Sequence, residues 1–188
     1  MLLLVSLQLS FCGHVNKIRN AIENKDMEYL KDQKEKEAIR WMNKAAEVAK
    51  NALCLKDKCG TVIVKDGEVI GEGYNAPPLD KEENRTCDKE FGPGKPNFDR
   101  TCCMHAEWRA IMDAIRRNPN KISGSKLYFT RVDENGEIKK SSKPYCTVCS
   151  RLTLDVSISY FLLWHEEGIC EYPADEYDKL SRGYVHVK

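Results

Sequence analysis

The sequence lacks an excess of charge of either sign, an excess of glycine or proline, and an apolar run of membrane-spanning length. Lys and Arg number 30 against 29 Asp and Glu, which leaves a formal charge of +1 over 188 residues. This balance gives no reason to expect a nucleic-acid coat protein or a polybasic membrane binder. With 11 glycines and 7 prolines, collagen-like and long disordered chains are excluded. The length and the 41% hydrophobic content predict one globular domain.

The chain starts with a short apolar stretch, MLLLVSLQLSF. A transmembrane helix needs about 20 apolar residues, so this stretch is too short to span a bilayer. No Lys or Arg precedes it and no small-residue cleavage pattern follows, which disfavours a secretory signal peptide. We expect a strand or helix packed on the body of the domain, or an over-extended start. The prediction is a cytoplasmic protein with no membrane partner.

Cysteine, in contrast, is abundant. The count of nine is odd, so a fully paired set of intramolecular disulfides is excluded, and a chain of this length does not need disulfides to fold. Cys102 and Cys103 are adjacent, and Cys146 and Cys149 are three apart. These spacings favour metal-ligating thiols in a reducing compartment. Other cysteines, Cys12 and Cys170 above all, are interpreted as plain small hydrophobic residues.

Hydrophobic periodicity and turn signals predict an alternation of helices and strands. The predicted helices cover 27–51, 105–117, 144–156 and 174–181, and the predicted strands cover 61–64, 68–73, 126–132 and 158–164. Residues 79–101 read as a polar loop whose length suggests a functional role. The order predicts an α/β fold, with three α-β-α layers around a central mixed sheet of about five strands.

We expect a single domain over residues 1–188. Its parts are an N-terminal extension of uncertain order (1–34), a core (35–165) and a C-terminal extension (166–188). In the C-terminal extension, Tyr172, Tyr177 and Tyr184 are candidates to cover the sheet edge or to form an interface.

Two short motifs carry the predicted chemistry: His105-Ala106-Glu107, and Pro144 to Cys149 with the sequence PYCTVC. Two thiolates and one imidazole provide three zinc ligands and leave the fourth position open, which is the catalytic arrangement, whereas structural zinc sites are closed by four ligands. Zinc lowers the pKa of bound water toward about 7. A carboxylate at Glu107 could then move a proton from water to a leaving nitrogen. Two alternatives stay open: a packed histidine with two core cysteines, or a closed structural zinc site.

The H-x-E and P-C-x-x-C patterns resemble the zinc-dependent cytidine-deaminase-like superfamily. Within it, CLKDKCGTVIVKDGEVIGEGYNAPP and TCCMHAEWRAI resemble the deoxycytidylate (dCMP) deaminase branch. The resemblance implies that His105, Cys146 and Cys149 bind zinc and that Glu107 is the catalytic proton shuttle. It also implies that the backbone N–H of Ala106 donates to the pyrimidine carbonyl.

Further implications concern substrate and metal. Asn75 matches a position that contacts the substrate sugar or base edge. The residues Cys54, Cys87, Cys102 and Cys103 are candidates for a second, structural zinc site. The branch also implies a homo-oligomer.

The chain departs from the branch at two positions. Tyr145 stands between Pro144 and the first cysteine, where the superfamily has proline directly before it, and is expected to project into the pocket mouth. Arg109 replaces a typical asparagine; it would either bind a nucleotide phosphate through two parallel hydrogen bonds or be structural.

The function predicted from these residues is zinc-dependent hydrolysis of dCMP to dUMP with release of ammonia. One alternative is deamination of another base carrier, namely a nucleoside, tRNA, single-stranded DNA or a biosynthetic pyrimidine. Nucleic acid is the less favoured partner, because its binding predicts a basic groove with exposed aromatic residues. The other alternative is a non-catalytic, zinc-stabilised binding module.

Overall fold

The computed structural model describes residues 26–87, 101–141 and 143–184. The apolar N-terminal stretch, Cys12 and most of the predicted 79–101 loop lie outside the described residues. The helices are α1 (Asp32–Ala49), α2 (Ala106–Arg117), α3 (Thr147–Asp155) and α4 (Ala174–Arg182). The strands are β1 (Glu28–Tyr29), β2 (Lys58–Lys65), β3 (Glu68–Tyr74), β4 (Lys126–Val132), β5 (Ile138–Lys139), β6 (Tyr160–His165) and β7 (Gly168–Pro173).

The strands form one mixed sheet, as predicted, in the order β1-β7-β6-β4-β2-β3, with β5 paired to β4. Among the described strands, only β4 and β6 pair in parallel, and the other pairs are antiparallel. Within the described ranges the sheet has seven strands rather than about five. Two of the strands that the sequence pattern missed, β1 and β5, contain two residues each, too few for a periodic signal. The third, β7, has the sequence GICEYP, in which a buried glutamate breaks the apolar pattern.

The two faces of the sheet carry different helices, which gives the three predicted layers. Because side chains alternate along a strand, Val62 and Val64 pack with α1 on one face. Ile63 faces the other way and packs with α2 residues such as Ala110 and Ile111.

Helix α2 lies unusually close to strand β3. A Cβ atom on Gly73 would stand 2.4 Å from the backbone oxygen of Ala106, and one on Gly71 would stand 2.4 Å from that of Ala110. At this contact the strand contributes glycines and the helix contributes fully buried alanines. This contact fixes the N-terminus of α2, where His105 and Glu107 lie.

Two predicted helix starts were wrong. The first helix begins at Asp32 rather than near residue 27, because Glu28 and Tyr29 pair with β7 as strand β1. The helix expected to open at Pro144 begins at Thr147, because Cys146 is its N-cap and accepts a hydrogen bond from the Cys149 N–H.

The C-terminal segment belongs to the same sheet and core. Strand β7 pairs with β6 along its whole length, and Tyr172 and Tyr177 are buried in the main core. The ring of Tyr177 stacks on Phe161 with centroids 3.8 Å apart. Within the described ranges, none of the helices is both long and apolar enough to traverse a bilayer.

Candidate active site

Two helix N-termini bring the predicted zinc ligands together. His105 is the N-cap of α2, Cys146 is the N-cap of α3, and Cys149 follows in the first part of α3. The Nδ1 atom of His105 lies 3.2 Å from the Cys149 sulfur and 3.5 Å from the Cys146 sulfur. The two sulfur atoms are 2.9 Å apart. Cys146 and Cys149 follow His105 by 41 and 44 residues in the sequence, and folding brings the three side chains into one donor cluster.

The donor set fits zinc. All three donor atoms lie within 4.8 Å of one another, as the ligands of one ion must. Imidazole nitrogen and thiolate sulfur are the donors zinc prefers, in tetrahedral sites. In the described part of the chain, no fourth His, Cys, Asp or Glu joins this group. The cluster therefore leaves room for one further ligand, which is the catalytic rather than the structural pattern.

The cluster favours negative charge on the sulfur of Cys146. A hydrogen bond from the Cys149 thiol lowers the pKa of Cys146 to about 4, with a further contribution from His105, although burial opposes the shift. The pKa of Cys149 is raised, because its thiol is the donor in that pair and is buried. The partial positive charge at the two helix N-termini also stabilises a thiolate at this place.

Trp108 holds the imidazole of His105 from one side. The two rings stack with centroids 4.8 Å apart and an interplanar angle of 16°. The sequence analysis identified no role for this residue at the site. The spacing of three residues from His105 could have indicated it, because such residues share a helix face.

Glu107 is buried, with 6% of its surface exposed, and lines the cavity beside His105. Burial raises the pKa of its carboxyl group, while the positive charge of His105 partly offsets the shift. The carboxylate is not part of the three-donor group. Its position therefore suits a proton-transfer group better than a permanent fourth ligand.

A cavity of about 420 Å³ opens beside these residues. Its wall includes three of the four predicted substrate residues, Asn75, Ala106 and Tyr145. The volume falls in the range of about 300–1,000 Å³ that is usual for small-molecule sites. Tyr145 is 51% exposed, and its ring lies 5.7 Å from that of Tyr184.

Asn75 also has a structural role. Its Oδ1 accepts a hydrogen bond from the Cys59 N–H at 2.8 Å, and its Nδ2 donates to the Asp57 carbonyl at 2.8 Å. These bonds tie the end of β3 to the start of β2. One N–H and one lone pair of the amide are left for a ligand.

Arg109 does not line this cavity. Its guanidinium pairs with Asp80 at 2.7 Å, donates to the Pro77 carbonyl at 2.8 Å and lies over the Tyr74 ring. It faces a separate cavity of about 760 Å³ on the outer side of β3 and α2. Of the two roles expected for Arg109, the structural one agrees with this geometry, because both terminal nitrogens of its guanidinium already donate to protein acceptors.

The four cysteines proposed for a second zinc site, Cys54, Cys87, Cys102 and Cys103, line the same cavity as Glu107. The Cys102 sulfur accepts a hydrogen bond from the Thr86 N–H at 3.2 Å. Over the described residues, no three of these four thiols come as close together as the donors of the His105 cluster do. A second zinc ion at this place stays a prediction.

Comparison with known proteins agrees with this geometry. Residues 35–163 match the family profile described as the cytidine and deoxycytidylate deaminase zinc-binding region. The chain belongs to this deaminase family. The deoxycytidylate deaminase of Saccharomyces cerevisiae is 30% identical over 120 residues, which cover 63% of this chain and 32% of that relative. The deoxycytidylate deaminase of Mycobacterium phage D29 is 32% identical over 94 residues, covering 46% of this chain and 71% of that protein.

The match thus spans about a third of the yeast relative (32%). Among solved structures, a cytidine deaminase from Burkholderia pseudomallei superposes with a TM-score of 0.50 and 14% identity, over 74% of this chain and 94% of that chain. This likeness supports the deaminase fold predicted from the sequence motifs.

Proposed function

We propose that this deaminase hydrolyses the amino group of a cytosine nucleotide, converting dCMP to dUMP and releasing ammonia. The observation that carries the proposal is the cluster of His105, Cys146 and Cys149, whose histidine lines the same cavity as the buried Glu107. The relatives named deoxycytidylate deaminase support the choice of substrate.

The proposed chemistry divides between the metal and the chain. Zinc, when bound, supplies the Lewis acidity that makes water nucleophilic near neutral pH. Glu107 accepts a proton from the attacking water and delivers it to the amino nitrogen. A bond forms between the water oxygen and C4 of the ring, the C4–N bond breaks, and ammonia leaves. The N–H of Ala106 and the amide of Asn75 orient the base.

Burial of Glu107 serves this role. Burial raises the pKa of the Glu107 carboxyl group, a shift in the direction that suits a general acid–base group. The enclosed position also keeps bulk water from competing for that proton. We propose in addition a cytoplasmic location, which suits thiolate ligands, and a homo-oligomeric assembly.

The replacement Glu107→Gln tests the proposal. We expect kcat on dCMP to fall by about 10²–10⁴-fold, the usual contribution of a general acid–base group, while zinc content stays unchanged. Glu166→Gln is the matched control, because Glu166 is exposed and lies outside the cavity. Equal turnover by Glu107→Gln and the wild-type protein contradicts the assigned role. A wild-type protein that binds zinc but deaminates neither dCMP nor other cytosine carriers supports the binding-module alternative.

Metal analysis tests both zinc sites. We expect the purified protein to contain zinc, and a chelator to abolish activity that added zinc restores. Cys149→Ser should remove the zinc of the His105 cluster. Two zinc ions per chain, one of them lost in Cys102→Ser, support the second site at the four cysteines. One ion per chain contradicts that second site and leaves the first intact.

A further inference from the structure

Arg131 is a cavity residue that the sequence motifs did not indicate. It lies near the end of β4, where it pairs with Cys59 of β2 and Lys139 of β5. Since alternate residues of a strand share a face, Arg131 lies on the side of Phe129, which is the side of the active site. It lines the same cavity as His105 and Glu107.

The guanidinium group of Arg131 has no protein acceptor among the described residues. Its Nε atom is buried and makes no hydrogen bond, and no carboxylate in the described ranges forms an ion pair with it. Asp57, an acidic residue of the same cavity wall, lies 3.6 Å from the Lys139 amine instead. Leaving a buried donor without an acceptor lowers the stability of the fold, so such a group calls for an explanation.

Other arginines of the chain illustrate the contrast. Arg85, Arg109 and Arg117 each pair with a nearby carboxylate, namely Glu82, Asp80 and Asp113. The charges of these three side chains are therefore neutralised by carboxylates of the protein. Over the described part of the chain, Arg131 has no such carboxylate partner, and it stands in the wall of the cavity that His105 and Glu107 line.

The electrostatic setting of Arg131 favours an anion. Lys56 lines the same cavity, so its wall contains two basic side chains, Lys56 and Arg131. The acidic groups of the wall are Asp57, which faces Lys139, and Glu107, which lies at the catalytic cluster. A guanidinium binds a phosphate through two parallel hydrogen bonds, which fix both distance and orientation.

We propose that Arg131 binds the 5′-phosphate of the substrate and is the residue by which the enzyme selects a nucleotide over a nucleoside. This inference rests on the proposed deamination of a cytosine nucleotide. The phosphate would occupy the Arg131 side of the cavity while the base reaches Glu107. Pairing of β4 with β5 holds the arginine in place.

Steady-state kinetics on dCMP and on deoxycytidine test this role. We expect Arg131→Gln to lower kcat/KM for dCMP by about 100-fold, mainly through KM, because a buried charge-assisted contact is lost. For deoxycytidine, which has no phosphate, kcat/KM should stay within about twofold. Arg131→Lys keeps the charge but not the paired geometry and should lie between the two. Arg40→Gln is the matched control, since Arg40 is exposed on α1 and remote from the cavity.

Several outcomes overturn the inference. If Arg131→Gln lowers kcat/KM equally for dCMP and deoxycytidine, Arg131 acts in the fold or in the chemical step and not on the phosphate. No loss on dCMP shows that the phosphate lies elsewhere. If the wild-type protein prefers a deoxycytidine oligonucleotide to dCMP, Arg131 binds the phosphate backbone of single-stranded DNA instead. If Arg131→Gln does not fold, the ratio of kcat/KM values for the two substrates in Arg131→Lys decides.

The inference and the proposed function can fail separately. If the wild-type protein deaminates neither substrate, the proposed function fails. Calorimetric binding of dUMP and deoxyuridine then still tests Arg131: a preference for dUMP that disappears in Arg131→Gln supports phosphate binding, and its absence in the wild-type protein contradicts it.

Discussion

At the scale of single residues, the site depends on side chains that hold other side chains. His105 meets the two thiols through Nδ1, and the ring of Trp108 stacks on its imidazole. The Trp108 Nε1 atom is buried and has no hydrogen-bond partner among the residues that the structure describes. Since a buried donor without an acceptor is unfavourable, the stacking surface of the Trp108 ring, and not its N–H group, explains why tryptophan stands here. The motif H-A-E predicted the donors, but nothing in the motif predicted the residue that orients the imidazole.

Replacing Trp108 should loosen the zinc site. We expect Trp108→Ala to weaken zinc binding by up to about tenfold, the equivalent of an aromatic contact of roughly 0.5–1.5 kcal/mol. Trp108→Phe keeps a stacking ring, loses the unpaired N–H, and should bind zinc as the wild-type protein does. Competition with a chromogenic chelator measures the affinity. Trp164→Ala serves as control, because Trp164 packs with the α1 face of the sheet. Equal zinc affinity of Trp108→Ala and wild type would rule out the orienting role.

At the scale of elements, the close contact between α2 and β3 decides where His105 and Glu107 lie. Glycine at 71 and 73 lets the helix backbone approach the strand to a distance that no side chain permits. The sequence pattern placed these glycines in the predicted strand 68–73 and assigned them no packing role. Their packing role could not be read from the chain, because the partner helix begins more than thirty residues later.

The replacement Gly73→Ala should be destabilising, although alanine is otherwise favoured over glycine in regular structure. Its Cβ would lie 2.4 Å from the Ala106 oxygen and the Ala110 nitrogen, so the first turn of α2 must move. We expect a loss of about 1–3 kcal/mol in the free energy of unfolding, as for other overpacked positions, together with weaker zinc binding next to that turn. Denaturant unfolding and zinc titration measure the two effects.

Gly183→Ala is the control for Gly73→Ala. A Cβ there would meet its nearest atom at 3.7 Å, an ordinary contact. Unchanged stability of both variants would mean that α2 adapts freely and that its close approach to β3 is not required.

At the scale of the whole molecule, the C-terminal segment is part of the core that supports the site. Strand β7 lies between β1 and β6, and Cys170, Tyr172 and Tyr177 are buried with the residues of α2. Ser150 of α3 also bonds to the buried Asp178 of α4 at 2.8 Å. The resemblance to deaminases ended near residue 165, so only the structure shows how residues 168–182 contribute.

A chain that ends after His165 should not form a stable domain. It loses β7 and α4, and with them the stacking partner of Phe161 and the neighbours of α3. We expect the loss of a cooperative thermal transition in circular dichroism and the loss of bound zinc. A chain that ends after Tyr184 is the control and should melt like the full chain. A cooperative, zinc-containing domain ending at His165 would show that the C-terminal segment is dispensable.

The sequence by itself determined the reactive groups, the α/β class and most of the helix and strand positions, because motif spacing and hydrophobic periodicity are local properties of the chain. It also determined that His105, Cys146 and Cys149 suit a zinc ion with a free coordination position. Only the tertiary structure decided that Arg109 pairs with Asp80 while Arg131 faces the active-site cavity. The reason is physical: the partners of a charged side chain come from distant parts of the chain, and only packing brings them within reach.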